Sequence, residues 1–509
     1  MAPSSELSLA NWLLVLLLIF TTYYVFYAKV RRSRLPPGPP GWPLIGNVFD
    51  VPKNGPEWIE YQKMGKKLNS DIVYLRTLGQ ATVVLNSLEA ITDLFEKQSS
   101  IYSSRYVMVR ELMGRDGAFS LMPYGGFWRA HRRLWHSMFS ADGTGWHHAH
   151  QIRGVNDLLN RFLESPNQWQ EHLRYQAGST ILDVAYGIRT LPEDDPYIQT
   201  AEEAVAAIAD AAIPGRYMVD NLPWLRYVPA WVPGASFQTI AQKANKVIQA
   251  SFTVPFEELK IAVANGTAKP SFATSCLEQV DLAGDVAYQE KIIQNTSGTM
   301  FAALSTFMLA MIMYPKVQAK AQQELDRVLG PGHLPSFGDE DSLPYLAAII
   351  KECLRWEVVL PVSIPRQAMV DDVYKGYHIP AGTILIPNTW AVLNDEKVYP
   401  DPSKFDPERF LTPDGKVNHS VPDSEAAFGY GRRICPGRHM ARGTVWLTAG
   451  SILASFNVEK AVDAQGNVIE PHVEYVPSLI RQPEPFLCSI KPRSKEVEKT
   501  IKDLLVPSM

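Results

Sequence analysis

Cys435 sits inside FGYGRRICPG (428–437), among three glycines, two arginines and a proline. The chain has only four cysteines. The other three, Cys276, Cys353 and Cys488, stand far apart, with no Cys-x-x-Cys pair. That spacing argues against a disulfide framework or a structural zinc site. A single privileged thiolate, such as a metal ligand, remains possible. Such a thiolate has to be held deprotonated against its ordinary pKa. Gly431 and Gly437 would let backbone pass close to a flat cofactor. Loop N–H groups could point at the sulfur and tune the metal. Arg433, two residues before the cysteine, is within reach of a cofactor carboxylate. The stretch RHMARGTVWLTAGSILASF (438–456) has a helical pattern. Cys435 should then fall just before a helix N-terminus, where the dipole favours a negative sulfur.

The pattern Phe428-x-x-Gly431-x-Arg433-x-Cys435-x-Gly437 resembles the haem-binding loop of the cytochrome P450 superfamily, the thiolate-ligated class of haem proteins. The resemblance implies haem b, with Cys435 as the axial ligand of its iron. KECLR (351–355) places Glu352 and Arg355 on one helix face, and FDPERF (405–410) offers Arg409. Alone, such a pair is an ordinary surface pair. Together the three resemble the family's Glu-Arg-Arg network behind the haem. WRAHRR (128–133) puts Trp128 and Arg132 four residues apart, like the family's propionate-holding helix. Arg433, and Arg366 in SIPR (363–366), would hold propionates as well.

The chemistry implied is insertion of one oxygen atom from O₂, with two electrons and two protons supplied. No G-x-G-x-x-G opens a βαβ unit, so no flavin or nicotinamide site is expected in the chain. Electrons would come from a separate NADPH–cytochrome P450 reductase, with cytochrome b5 as a further donor. Arg129, Arg133, Arg432, Arg438 and Arg442 would form its docking face. The pocket would draw on residues 105–120, 209–219, 358–364 and 479–480. VVLPVSI (358–364) is apolar and uncharged, which suits a hydrophobic or aromatic small molecule. The resemblance is to membrane-bound members from mushroom-type fungi, some of which hydroxylate tryptamine-like or other natural products.

One stretch departs from the family. YQEKIIQNTSGTMFAALSTFMLAMIMYPKVQ (288–318) lacks the Ala-Gly-x-Asp/Glu-Thr of the oxygen-activating helix. Its five places fall on residues 295–299. Thr299 is then the only alcohol in the proton relay, and Gly298 stands where the acid should be. A second alignment deletes about eight residues containing the whole motif, about 12 Å of helix. A reductase-independent isomerase, dehydratase or peroxygenase, or an impaired haem-binding paralogue, therefore stands beside the monooxygenase reading.

The surrounding elements follow from composition and pattern. The chain has 509 residues, 46% hydrophobic and 20% charged, with a formal charge of −4. That is enough for a large core and gives no hint of nucleic-acid binding. Residues 9–28 carry no charge and are about long enough to span a membrane as a helix. Lys29, Arg31, Arg32 and Arg34 follow at once, which puts the body on the cytosolic side. A cleaved signal peptide needs a basic leading region and a small-residue cleavage site, and neither is present. The expected arrangement is a membrane anchor over 1–30, a basic and proline-rich hinge over 31–50, and one haem domain over 51–509. The location expected is the endoplasmic reticulum membrane, single-pass. The body should be mainly α with small β-sheets, a cytochrome P450 fold. DIVYLRTLGQATVVLN (71–86) reads as a hairpin split at Gly79-Gln80, and PKVQAKAQQELDRVLG (315–330) as a helix.

Overall fold

A computed structural model of the chain describes residues 12, 34–52, 55–106, 119–139, 145–211, 217–280, 285, 301–471, 473–476 and 479–504. Among them no helix is long and apolar enough to cross a membrane. The expected anchor over 1–30 lies outside them, Trp12 excepted.

Eleven of the described helices matter here: α1 (Glu57–Leu68), α2 (Gly126–Phe139), α3 (His148–Glu164), α4 (Trp169–Tyr186), α5 (Pro196–Ala211), α6 (Ser236–Ala264), α7 (Phe301–Met313), α8 (Pro315–Leu329), α9 (Pro344–Trp356), α10 (Arg438–Ser455) and α11 (Lys495–Asp503). Eight strands lie between them: β1 (Ile72–Thr77), β2 (Gln80–Leu85), β3 (Arg366–Gln367), β4 (Asp372–Tyr374), β5 (Tyr377–Ile379), β6 (Ile384–Pro387), β7 (Phe456–Lys460) and β8 (Cys488–Pro492). The fold is mainly α with small sheets, as the pattern predicted.

The largest core joins α7, α8, α9 and α10 with β7 and β8. In α7, Leu304 and residues 307–312 are almost wholly covered. A helix apolar all round can only be a core helix. Pro315 starts α8 and Gly330, at φ 93°, ends it, the expected asymmetry. Glu324 of α8 turns its carboxylate to the start of α9, accepting from the N–H groups of Tyr345 (2.9 Å) and Leu346 (3.0 Å). Two of α9's orphan donors are thereby satisfied, and its far end, which carries Glu352 and Arg355, is held in place.

The expected hairpin is present. Leu78 (φ 50°) and Gly79 (φ 97°) form the two-residue turn between β1 and β2, the backbone twist that such hairpins need. β2 pairs in parallel with β6, and β6 pairs antiparallel with β3. This order puts Arg366, the first residue of β3, on the sheet margin. The proline-rich stretch is docked on the body along β1. The Tyr74 N–H donates to Pro37 O at 2.7 Å, and the Arg76 N–H to Asn47 Oδ1 at 3.0 Å. A side chain at Gly38 would put its Cβ 2.0 Å from Tyr74 O. The prolines thus cover a strand edge that would otherwise be open.

Candidate active site

The cysteine loop is a tight turn at Gly431–Arg433 followed by an extended Ile434. The Cys435 N–H donates to Phe428 O at 2.8 Å, which closes the loop on itself. α10 begins three residues after the cysteine, with Gly437 at its N-cap. Burial pushes the Cys435 thiol above its usual pKa; the Gly437 N–H, Arg132 and Arg438 pull the other way. The loop therefore supplies donors and positive charge to the sulfur, although burial prevails in the protein alone.

Gly431 does different work from that expected. Gly431 has φ 48°, and a Cβ there would lie 2.2 Å from Phe95 O. It is glycine because protein backbone crosses it. At Gly437 a Cβ would meet only the Trp135 ring, at an ordinary 3.8 Å. No described residue requires glycine there, which leaves that side free for a cofactor.

Three guanidinium groups meet at this loop, and a fourth, that of Arg105, neighbours one of them. Arg132 of α2 donates through Nη1 to Ile434 O at 2.6 Å. Arg433 donates through Nε to Ser103 O (2.8 Å) and through Nη2 to Met122 O (2.7 Å), and its guanidinium carbon stands 4.2 Å from the Trp128 ring centroid. Arg366 donates to Tyr430 O and lies 4.0 Å over the Phe95 ring. Arg105 donates through Nε to Ser120 O (2.9 Å) and through Nη1 to Pro365 O (3.0 Å). Arg105, Arg366 and Arg433 are buried, and Arg132 is half-buried. Burial, then the neighbouring Arg105, drive the Arg366 pKa well below its usual value. Among the described residues no salt bridge joins Arg132 or Arg366 to a carboxylate, and Glu96 reaches Arg366 only as a weaker, more distant charge.

Buried positive charge of this kind is costly unless an anion meets it. Arg366 Nη1 and Trp128 Nε1 are buried donors with no hydrogen-bond partner among the described residues. Trp128 is otherwise well held, stacked on Phe119 with 5.7 Å between centroids. A thiol, several guanidiniums and two spare donors around one loop fit a flat, dianionic, thiolate-ligated group such as haem. Arg105 was missed in the sequence as a site residue, because a lone arginine in a loop carries no local signal. Its acceptor Pro365 is 260 positions away.

Behind the loop, Glu352 and Arg355 are both fully buried. Arg355 grips Glu352 with two parallel bonds, Nε to Oε2 at 2.7 Å and Nη2 to Oε1 at 2.8 Å. It also donates to the carbonyls of Leu393 (3.1 Å) and Pro402 (2.9 Å). Arg409 Nε donates to Glu352 Oε1 at 3.1 Å, and the Asp406 N–H to the same oxygen at 2.8 Å. One carboxylate and two planar cations thus fasten α9 to residues 393–409.

One or two residues of each predicted pocket segment pack in one buried apolar cluster, while residues 107–118 and 212–216 lie outside the described residues. Tyr106, Ala209, Leu360, Val362, Leu479 and Ile480 all pack there. Of the basic residues expected at a docking face, Arg129, Arg133 and Arg432 are exposed, and Arg438 and Arg442 are half-buried. Thr299, with the other places of the abnormal helix motif (295–298), lies outside the described residues.

The chain matches the family model described as Cytochrome P450 over residues 36–489. It is 42% identical to the tryptamine 4-monooxygenase of Psilocybe cyanescens, over 96% of this chain and 99% of that relative. It is also 42% identical to cytochrome P450 monooxygenase 98 of Postia placenta, over 99% of each chain. A third relative, cytochrome P450 monooxygenase ple1 of Rhodocybe pseudopiperita, is 41% identical over 99% of this chain and 98% of its own length. The chain belongs to the cytochrome P450 family of haem-thiolate monooxygenases, and so is an oxidoreductase.

Proposed function

We propose that the protein inserts one oxygen atom from O₂ into a hydrophobic or aromatic natural product, with electrons from a separate NADPH–cytochrome P450 reductase. One observation carries the reading: a cysteine loop ringed by guanidiniums, two of which form no salt bridge among the described residues. Cys435 would ligate the haem b iron. Trp128, Arg132, Arg366 and Arg433, together with Arg105, would hold the two propionates. When bound, a thiolate-ligated haem supplies the oxygen-insertion chemistry. The protein's own part is to hold the half-buried cysteine in a closed loop, give its sulfur the Gly437 N–H, and line an apolar pocket.

The pocket cluster of Tyr106, Ala209, Leu360, Val362, Leu479 and Ile480 supports an apolar substrate held mainly by shape. Tryptamine, the compound in one relative's name, is the first to assay. The exposed Arg129, Arg133 and Arg432 would face the reductase, with cytochrome b5 as a second donor. Trp42, Leu44 and Phe49 are exposed in the proline-rich stretch that follows the basic cluster. They support a single-pass protein on the endoplasmic reticulum membrane with its body in the cytosol.

The test is an absorption spectrum of the reduced, CO-bound protein. The intact chain should give the long-wavelength Soret band of a thiolate-ligated haem, and Cys435→Ala should not. Survival of that band in the variant would remove Cys435 as the ligand. A second reading is favoured by one feature: residues 295–299 lack the family's acid, leaving Thr299 as the relay alcohol. Turnover driven by peroxide without reductase would favour a peroxygenase or isomerase. Turnover requiring reductase and O₂ would favour the monooxygenase.

A further inference from the structure

The apolar pocket cluster carries one charged pair at its edge. Glu357 is the residue that ends α9. Arg481 lies in a hairpin whose arms join through the Val476 N–H to Gln482 O (3.0 Å) and the Glu484 N–H to Glu474 O (2.8 Å). Arg481 Nη1 donates to Glu357 Oε2, and the two side chains are only 18% and 17% exposed. The guanidinium also stands 4.2 Å from the Tyr475 ring centroid and 5.4 Å from that of Trp58 in α1, both cation–π distances. The Arg481 N–H donates to Val359 O at 2.8 Å. Burial lifts the Glu357 carboxyl, and Arg481 is the main opposing influence, so the pair is desolvated and mutually dependent.

The position of the pair gives it a function. The two residues before Arg481 are Leu479 and Ile480, which pack with Leu360, Val362 and Ala209. Val359, whose carbonyl receives the Arg481 N–H, belongs to the facing wall. We propose that Glu357 and Arg481 form a latch that sets how far Leu479 and Ile480 stand from the wall at 358–364, and so determines the size of ligand the pocket accepts. This rests on reading those segments as pocket walls. Glu357 and Arg481 act through their neighbours and are positioning residues. A purely structural pair would lower stability and leave ligand selection alone.

Two probes of the holoprotein separate those roles. Imidazole is too small to reach the walls, whereas 4-phenylimidazole must fit its ring between them. Glu357→Gln keeps side-chain bulk and removes the charge, and Arg481→Gln removes the guanidinium while keeping a shorter polar side chain. Each should weaken 4-phenylimidazole binding about tenfold by absorbance titration, with imidazole changed less than about twofold. Hydrogen exchange at the Arg481 amide should quicken by about the same tenfold factor. The reversed pair, Glu357→Arg with Arg481→Glu, should recover both. Equal effects on the two probes, unchanged exchange, or no recovery in the reversed pair would overturn the latch. The CO spectrum is recorded first. Loss of the thiolate band counts against the haem reading, and exchange at Arg481 then decides the latch alone.

Discussion

Gly431 and Gly437 flank Cys435 and look equivalent in the sequence, but they answer to different neighbours. Gly431 has φ 48° and Phe95 O where its Cβ would go. Left-handed backbone alone costs a non-glycine residue about 1–2 kcal/mol, and a clash with a carbonyl adds to it. Gly431→Ala should therefore lower the melting temperature of the cofactor-free protein. Gly437→Ala meets only Trp135, so it should leave that melting temperature unchanged and weaken haem uptake instead. Calorimetry of the apoprotein followed by haem titration distinguishes the two, and equal destabilisation by both would refute the assignment. Glu352, Arg355 and Arg409 were brought together in the sequence by the family resemblance, and hydrogen bonds join them in the structure. Arg105, Glu357 and Arg481 were not legible there. The Glu357–Arg481 pair joins positions 124 apart, and no local pattern announces such a meeting.

Helix α2 shows how one element serves two surfaces. Trp128, His131 and Phe139 are buried, and Arg132 and Trp135 half-buried, on the side toward the cysteine loop. Arg129, Arg133 and His136 are exposed. Spacing of three and four residues divides the faces. Arg129→Glu with Arg133→Glu should slow reduction by the reductase while dithionite reduction proceeds as before. The slowing should be greatest at low salt, since exposed charges are screened beyond about 10 Å at 0.1 M. Stopped-flow reduction at two ionic strengths tests this, and equal rates at low salt would remove the docking face. The helix boundaries were less readable. AEEAVAAIADAAI (201–213) suggests a helix from its alanines, but α5 begins at Pro196. There Asp195 Oδ1 accepts from the N–H groups of Tyr197 (2.9 Å) and Ile198 (3.0 Å), a capping signal hidden in an acidic turn.

Across the molecule, the proline-rich stretch and the sheet make one surface. Trp42 and Phe49 meet edge to face at 6.4 Å, and with Leu44 they are largely exposed. Removal of residues 1–33 should leave weak flotation with liposomes, and Trp42→Ser with Leu44→Ser and Phe49→Ser in that shortened chain should abolish it. Equal flotation of the two shortened chains would exclude this surface from membrane contact. The loop around Cys435 has a different reach. Its Arg433 is tied to Ser103, 330 positions earlier, and Ile434 to Arg132, 302 positions earlier. Neither bond can form until almost the whole chain has been made. At about 5–20 residues per second, the partner of Arg433 waits roughly a quarter of a minute to a minute for those 330 residues to be added. A nascent chain thus displays the early half of its arginine cradle well before the cysteine exists. The cradle is complete only once the cysteine loop has been made, so a group held by both halves of it cannot be enclosed earlier.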